Sequence, residues 1–516
     1  VIDFVLNGGD VSLVDDGGSL LDALRERLGV SSAKDGCSPQ GQCGCCTVWI
    51  DEKPRVACVT PVGRVAGRHV TTIEGLDDAE EWAEEFCASG ASQCGFCTPG
   101  IVMRLAALGH ARGDRAAVEK ALLAHLCRCT GWRSIVDVAT RRTTPAAGAR
   151  DVVAASRRAE LEGRVSQVVS PDVALGRGGF AADTAPADAL FALRRGDGEW
   201  VVAETLGDAR REAGKVPGRR TTMPVTWPIA VPEGSWARTL QTTWVDPAYL
   251  EPDAAWCVPG GEPSSPLANG GAFGGKSESP VGEVARRLAD EHGRPVLVSW
   301  TREDTVLLGP KRPPVAAGID AAGAGVLRIA RPSEDQWSGM LDAIASVAPA
   351  LDIECVDAIG PPVSTDLRAS GWGEAAVLMS SLAPAPDRVV SPEGAVASAA
   401  IERRPDGREV VSIDVACGEV LDEVVLRSYC VGAAHMALGW VRSERLAVDP
   451  AGRPLDLTIR SFGILRAGDT PEVEVRIERD DRPAINGSDA VFAAVAAAAW
   501  RASGFAPRLP TAVDAG

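Results

Sequence analysis

Hydrophobic and polar positions alternate from the first residue. Val1–Leu6 (VIDFVL) has the period-two pattern of a half-buried strand, Asn7-Gly8-Gly9-Asp10 reads as a hairpin turn, and Val11–Val14 returns as a second strand. Ser19 then stands before an apolar-periodic stretch, LLDALRERL, that Gly29 ends, the signature of a capped helix. Strands are expected again at Cys46–Ile50, Arg55–Val59 and His69–Glu74.

After residue 76 the period lengthens to that of helices. Asp77 or Asp78 begins one that carries Trp82 and Phe86. Thr98-Pro99 begins a second, ending at Gly109, and Asp114 opens a third that Gly131 stops. Trp132–Arg141 makes a fourth. RRTTPAAGARDVVAASRR reads as a linker with a charged helical end. An apolar, Ala-rich stretch, AVFAAVAAAAW, marks a buried helix near residue 490, too short to cross a membrane.

Cysteine changes this picture most. Ten of the 14 cysteines precede residue 130, in Cys-x-x-Cys and Cys-x-Cys pairs, a pattern of metal ligation more than of disulfides. One set is Cys37, Cys43, Cys46 and Cys58, and the other is Cys94, Cys97, Cys127 and Cys129. Four thiolates converging on one point can hold a [2Fe-2S] cluster, and two such sets in series form an electron wire. Gly36, Gly41 and Gly44 let backbone N–H groups turn toward an anionic centre. The alternative is a zinc site or free thiols.

Plant-type spacing is Cys-x4-Cys-x2-Cys. Here five residues separate Cys37 from Cys43, and Cys45 is an extra thiol. Cys43 and Cys46 keep the x2 spacing, so Cys45 is expected to point away as a small apolar residue, with substitute ligation as the other option. Cys94 and Cys97 fall at a helix N-terminus, where the dipole favours negative charge. Cys127 and Cys129 fall at the end of another helix. Cys87 is expected in the core, and His110 and His125 as surface or packing residues.

Net charge is −17, which disfavours nucleic acid as a partner and suits a basic redox partner. Thiol usage implies a reducing compartment. With no leader or long apolar run at its start, the chain is expected to be cytoplasmic, with no membrane span. At 516 residues several domains are expected.

QCGFCTPG followed by CRCTGW, behind a β-grasp ferredoxin pattern, resembles the iron–sulfur portion of the xanthine dehydrogenase and aldehyde oxidase family of molybdenum hydroxylases. The resemblance covers residues 1–140. It implies an α+β multidomain protein with a ferredoxin-like [2Fe-2S] domain at 1–75 and a four-helix [2Fe-2S] bundle at 76–145. A linker with a remnant of the molybdenum subunit follows at 146–240. A reduced α+β region resembling the molybdopterin domains occupies 241–516.

In that family the bundle cluster lies nearest the molybdopterin, and the ferredoxin cluster passes electrons to a flavin or other acceptor. By resemblance Gln93 touches the pterin and Cys129 lies on its side. Collinear fragments extend the resemblance: AYLEPDAAW (248–256), GGAFGGKSE (270–278), GRPVLVSWTRED (293–304), LRASGWGEA (367–375) and SIDVACGEVLDE (412–423). They imply cofactor contacts at Gly270, Gly271, Phe273, Gly274 and Arg368.

Other family positions are changed. The Gly-x-Gly-Glu motif that supplies the general base corresponds to PAINGSDAVFAA (483–494), whose nearest carboxylate is Asp489. Two family glutamines correspond to Tyr429 and Met436. No flavin-binding segment is recognisable.

Three readings follow. The first is an electron-transfer subunit with two [2Fe-2S] clusters, no catalytic residues of its own and a degenerate C-terminal scaffold. It would pair with a separate molybdopterin-binding catalytic subunit, with FAD in a further subunit or a soluble electron acceptor. The second is a compact, self-contained hydroxylase of an N-heterocycle or aldehyde that uses Asp489 as base. The third is a non-catalytic ferredoxin-like carrier or assembly factor.

Overall fold

The computed structural model describes residues 1–140, 150–215, 223–265 and 279–513. The first sheet runs in the order Gly9–Leu13, Ile2–Leu6, His69–Thr71, Thr47–Ile50, Lys53–Val56. Ile2–Leu6 pairs parallel with His69–Thr71 and antiparallel with Gly9–Leu13, which is the β-grasp arrangement. The hairpin closes at Asn7 and Gly8, both with positive φ. Ser19 caps Leu20–Asp22 through a reciprocal Ser19–Asp22 box, and the backbone then widens into a π turn at Ala23–Arg27. The pattern predicted one continuous helix. Arg25, which donates to the carbonyls of Ser31 and Ala33 from that turn, ties it to the following loop.

Four helices come next: Ala79–Ala88, Thr98–Ala106, Arg115–Leu122 and Arg133–Ala139. Asp114 caps the third by accepting from the Ala116 N–H. It ends at Leu122, earlier than its pattern implied, so Cys127 and Cys129 lie in the loop beyond it. Trp82, Phe86, Ile101, Leu122 and Trp132 form part of one core continuous with the first sheet.

Beyond Asp151, which caps the helix Val152–Gly163, three further four-stranded sheets follow. The second is ordered Trp200–Ala203, Leu190–Arg194, Val296–Ser299, Ala254–Cys257. Its parallel pair, Leu190–Arg194 with Val296–Ser299, draws on both sides of residue 240. The third comprises Leu351–Val356, Gly325–Ala330, Val315–Ile319 and Arg238–Gln241. The fourth comprises Asp387–Val390, Val396–Arg403, Glu409–Ala416 and Glu472–Glu478. The helices Glu423–Arg442 and Ser488–Ala502 pack together, with Trp440 stacked on Phe492 at 5.8 Å between ring centroids. Among the described residues only Glu423–Arg442 is long and apolar enough to cross a membrane, and 89% of its apolar window is buried inside the fold.

Candidate iron–sulfur sites

The loop between Gly29 and Thr47 has no regular structure, and its turns are built by positive φ at Ser38, Gly41 and Gly44. Ser38 makes a left-handed turn inside the x5 spacing. Its N–H donates to Asp35 Oδ1 at 3.0 Å, and the N–H groups of Gln40 and Gln42 then reach Cys37 Sγ at 3.1 and 3.5 Å. Cys58, from the 3-10 turn Ala57–Val59, arrives from the other side, with its N–H 3.4 Å from Cys46 Sγ.

These four thiols meet in pairs: Cys37 with Cys43, Cys37 with Cys58, and Cys58 with Cys46. Cys43 and Cys58 donate to Cys37, and with the Gln42 and Gln40 N–H groups they hold its thiol well below the usual range despite burial. All four side chains are buried.

Cys94 and Cys97 precede and cap the helix Thr98–Ala106, which starts one residue earlier than its Thr-Pro signal suggested. Cys94 and Cys129 bring their sulfurs to 3.5 Å, and Cys97 meets Cys127. The Cys97 thiol and, at 3.1 Å, the Thr130 hydroxyl lower the Cys127 thiol to about 6 against the effect of burial. The same contacts raise the donor thiols Cys43, Cys58 and Cys97, so in each quartet one sulfur acts as the acceptor.

Among the described residues no three His, Cys, Asp or Glu side chains surround a single point in the manner of one metal ion. The second quartet meets two by two and the first as a chain, Cys43–Cys37–Cys58–Cys46; either arrangement could give two cysteines to each iron of a two-iron centre. The thiols present, their burial and the inward N–H groups fit a [2Fe-2S] cluster at each quartet.

Cys45 does not point away. Gly44, at φ +77°, turns the Cys45 side chain back against Cys43, where it is fully buried and lies in the field of Cys127. His125 packs over Gly44 and meets the Thr47 hydroxyl at 3.1 Å, so its packing role stands. Burial first, then the Arg104 charge, lowers it to about 3. Cys87 is only half-buried. It accepts a 2.6 Å hydrogen bond from Arg150 at its carbonyl, which replaces the expected core position.

The positions implied as molybdopterin contacts are engaged within the chain. Gln93 Nε2 donates to the Cys129 carbonyl at 3.2 Å and to Ser428 Oγ at 2.9 Å. Arg368 is buried and donates to Ser488, to Asp489 at 3.0 Å and to the Glu162 carbonyl at 3.5 Å. Asp489 also pairs with Arg164 at 2.5 Å. Tyr429 donates to Gln167 at 2.7 Å, and Met436 is buried in the helix Glu423–Arg442. Gly270, Gly271, Phe273 and Gly274 lie outside the described residues.

The N-terminus of the helix Ser488–Ala502 is a natural anion site. Its occupant is Glu162, which accepts from the N–H groups of Gly487 at 3.1 Å and Ser488 at 2.9 Å while paired with Arg158 at 3.0 Å. A cavity of about 250 Å³ beside Asp489, bounded also by Arg164, Asp366, Ser370, Trp372 and Glu393, is below the usual size of a cofactor pocket. The described residues do not fit molybdopterin: the anion site is filled by a carboxylate, and Arg368 serves Asp489. Sequence reasoning missed Glu162 and Arg158, an i,i+4 pair that in isolation reads as an exposed helix-surface pair.

The family model for the [2Fe-2S] binding domain matches residues 72–140. Xanthine dehydrogenase of Emericella nidulans is 40% identical over 161 residues, covering 28% of this chain and 12% of that protein. Aldehyde oxidoreductase of Megalodesulfovibrio gigas is 40% identical over 141 residues, covering 26% of this chain and 15% of that protein.

Residues 72–140 are a [2Fe-2S]-binding domain. In sequence the chain is similar to xanthine dehydrogenases and aldehyde oxidoreductases, and it spans well under a fifth of the length of those curated proteins. The whole fold is like that of solved aldehyde oxidoreductases. The enzyme from Desulfovibrio gigas superposes with a TM-score of 0.71 over 99% of both chains at 15% identity. That from Desulfovibrio desulfuricans superposes at 0.66 over 96% of this chain and 97% of its own. At such identity the likeness is one of fold. It extends to the C-terminal half, where the expectation was of an α+β region of the same ancestry.

Proposed function

We propose that the chain is the electron-transfer subunit of a molybdenum hydroxylase complex, taking electrons from a molybdopterin centre in a partner subunit and delivering them to a flavin subunit or a soluble acceptor. The observation that carries this reading is the contrast between the two halves. The thiol quartets are complete and paired, whereas the place of the large cofactor is filled by Glu162, Arg368 and Asp489.

A [2Fe-2S] cluster at each quartet supplies one-electron storage and transfer at protein-tuned potentials. Cys37, Cys43, Cys46 and Cys58 would hold one, and Cys94, Cys97, Cys127 and Cys129 the other. The chain contributes insulation, since every one of these thiols is buried, and N–H donors from Gln40, Gln42 and Cys58 to ligand sulfurs. Residues 241–516 act as the assembly scaffold; Gln93 and Cys129, which resemblance turns toward the molybdopterin, pack here on Ser428 and Gly432 of that scaffold. Fourteen cysteines, none joined in a disulfide among the described residues, support a reducing, cytoplasmic setting.

Asp489 does not favour the self-contained hydroxylase, because two guanidinium groups already hold it. Metal analysis tests the proposal. The isolated chain is expected to carry about four iron atoms, for two clusters, and no molybdenum. Stoichiometric molybdenum on the isolated chain, with hydroxylation of an aldehyde or N-heterocycle, overturns it.

A further inference from the structure

Arg302 opens the helix Arg302–Leu308, which Thr301 and Asp304 cap reciprocally. Its side chain is wholly buried, against the loop of the first quartet. Nε and Nη2 donate to the Gly36 carbonyl at 3.2 and 2.6 Å, and Nη2 also donates to the Leu250 carbonyl at 2.8 Å. Nη1 has no hydrogen-bond partner. Gly36 adjoins Cys37, and a Cβ on it would stand 3.2 Å from Cys43 Sγ.

The groups whose charge acts on this guanidinium are Asp246, then the Cys43, Cys37 and Cys45 sulfurs when ionised, and the buried Lys311 ammonium. Asp246 is shared with Lys311 at 3.2 Å, and its Oδ1 accepts from the Ala248 N–H at 2.7 Å. The other buried cation of this loop, Lys34, is paired directly with Asp183. In the second quartet the neighbouring cation, Arg128, is held by both oxygens of Glu444 at 2.6 and 2.7 Å. Lys34 and Arg128 also donate to carbonyls, but of these three cations Arg302 alone has no carboxylate acceptor and leaves an N–H unused.

A buried cation with an orphan N–H is costly. An adjacent anion offsets that cost. A cluster held by four thiolates is such an anion, and reduction adds one electron to it with no need of a proton. Net charge and hydrogen bonding near the sulfurs set its potential. We propose that Arg302 raises the reduction potential of the first cluster relative to the second. Residues beyond the ferredoxin domain thus tune the wire as well as covering it. The inference rests on the reading of both quartets as [2Fe-2S] sites.

The test is an EPR-monitored redox titration of the full-length, cluster-loaded protein, with the first cluster assigned by the signal lost in Cys58→Ser. Arg302→Gln is expected to make the first cluster about tenfold harder to reduce, ~59 mV for one electron, and to leave the second unmoved. Arg302→Lys, which keeps the charge, shifts it less. Asp246→Asn, which keeps the acceptor for Ala248, shifts it in the opposite direction. Unchanged midpoints in Arg302→Gln with full iron content overturn the inference, as does an equal shift of both clusters. If Arg302→Gln fails to load the first cluster, Asp246→Asn decides, and an unmoved midpoint there overturns it. Fewer than two cluster signals in the unsubstituted protein overturn the reading of the sites themselves.

Discussion

The Leu126 N–H donates to the Cys43 carbonyl at 3.0 Å. Cys43 belongs to the first quartet and Leu126 is bonded to Cys127 of the second. One backbone hydrogen bond therefore joins a ligand of one site to the neighbour of a ligand of the other. The contact is close because Gly100, at the start of the Thr98–Ala106 helix, lets its backbone pack on the carbonyls of Gly44 and Cys45.

Gly100→Ala tests that contact. A Cβ there would overlap the Gly44 and Cys45 carbonyl oxygens, which belong to backbone and cannot swing aside. Overpacking of this kind costs about 1–3 kcal/mol. Denaturant unfolding of the loaded protein is expected to show the loss, with the two clusters becoming less strongly spin-coupled in EPR.

Ligand substitutions should act on one site at a time. Cys129→Ser and Cys94→Ser both break the 3.5 Å sulfur pair. Each is expected to abolish one of two reduced-cluster EPR signals and about half of the iron, leaving the ferredoxin-type signal. Survival of both signals in either variant contradicts the assignment of the second quartet.

The Arg128–Glu444 pair is bidentate, buried and separated by 316 residues in sequence. Arg128→Met strands the Glu444 carboxylate in the interior, a change that typically costs about 3–5 kcal/mol. Glu444→Gln in the same chain should return part of that loss, since a neutral amide needs no counter-ion. A double-mutant cycle by chemical denaturation checks both outcomes.

Stability should also fall with acid through His435. This ring is fully buried, pairs Nε2 with the Leu465 carbonyl at 3.0 Å and is lowered to about 4 by burial and then by Arg128. Between about pH 6.5 and 4 the unfolded chain binds a proton here that the folded chain refuses. The contribution is therefore complete above pH 6.5 and is lost on descending toward 4, on the order of 3 kcal/mol. Glu26 opposes it. Burial and then Asp22 raise that carboxyl to about 7, so its share is complete below 4.5 and fades as pH rises through 7. His435→Gln should flatten the acid limb of a plot of unfolding midpoint against pH.

Much of the site was legible because its signals are local. The quartets, the Ser19 and Asp114 caps and the hairpin at Asn7-Gly8 each lie within a few residues of what they organise. What escaped is long-range. Arg302 looks like an ordinary first-turn helix residue, and its carbonyl partner Gly36 lies 266 positions away. Glu162 looks like a solvated helix carboxylate, yet it fills the anion site of a helix that begins at Ser488. Charges paired across such separations leave no periodic trace. The x5 spacing was likewise opaque, because the left-handed turn inside it falls on Ser38, a non-glycine residue that carries no left-handed turn signal of its own.

The burial of the thiols bears on how the protein is made. Cys37, Cys43 and Cys127 are each about 1% exposed, beneath contacts from residues as late as Leu457 and Arg460. In the closed chain an iron donor would have to pass those contacts to reach them. Maturation is therefore expected to run in a fixed order, with metal delivered while the C-terminal half is still undocked and that half fitted last. A chain stripped of iron after folding should reload only when it is first partly unfolded.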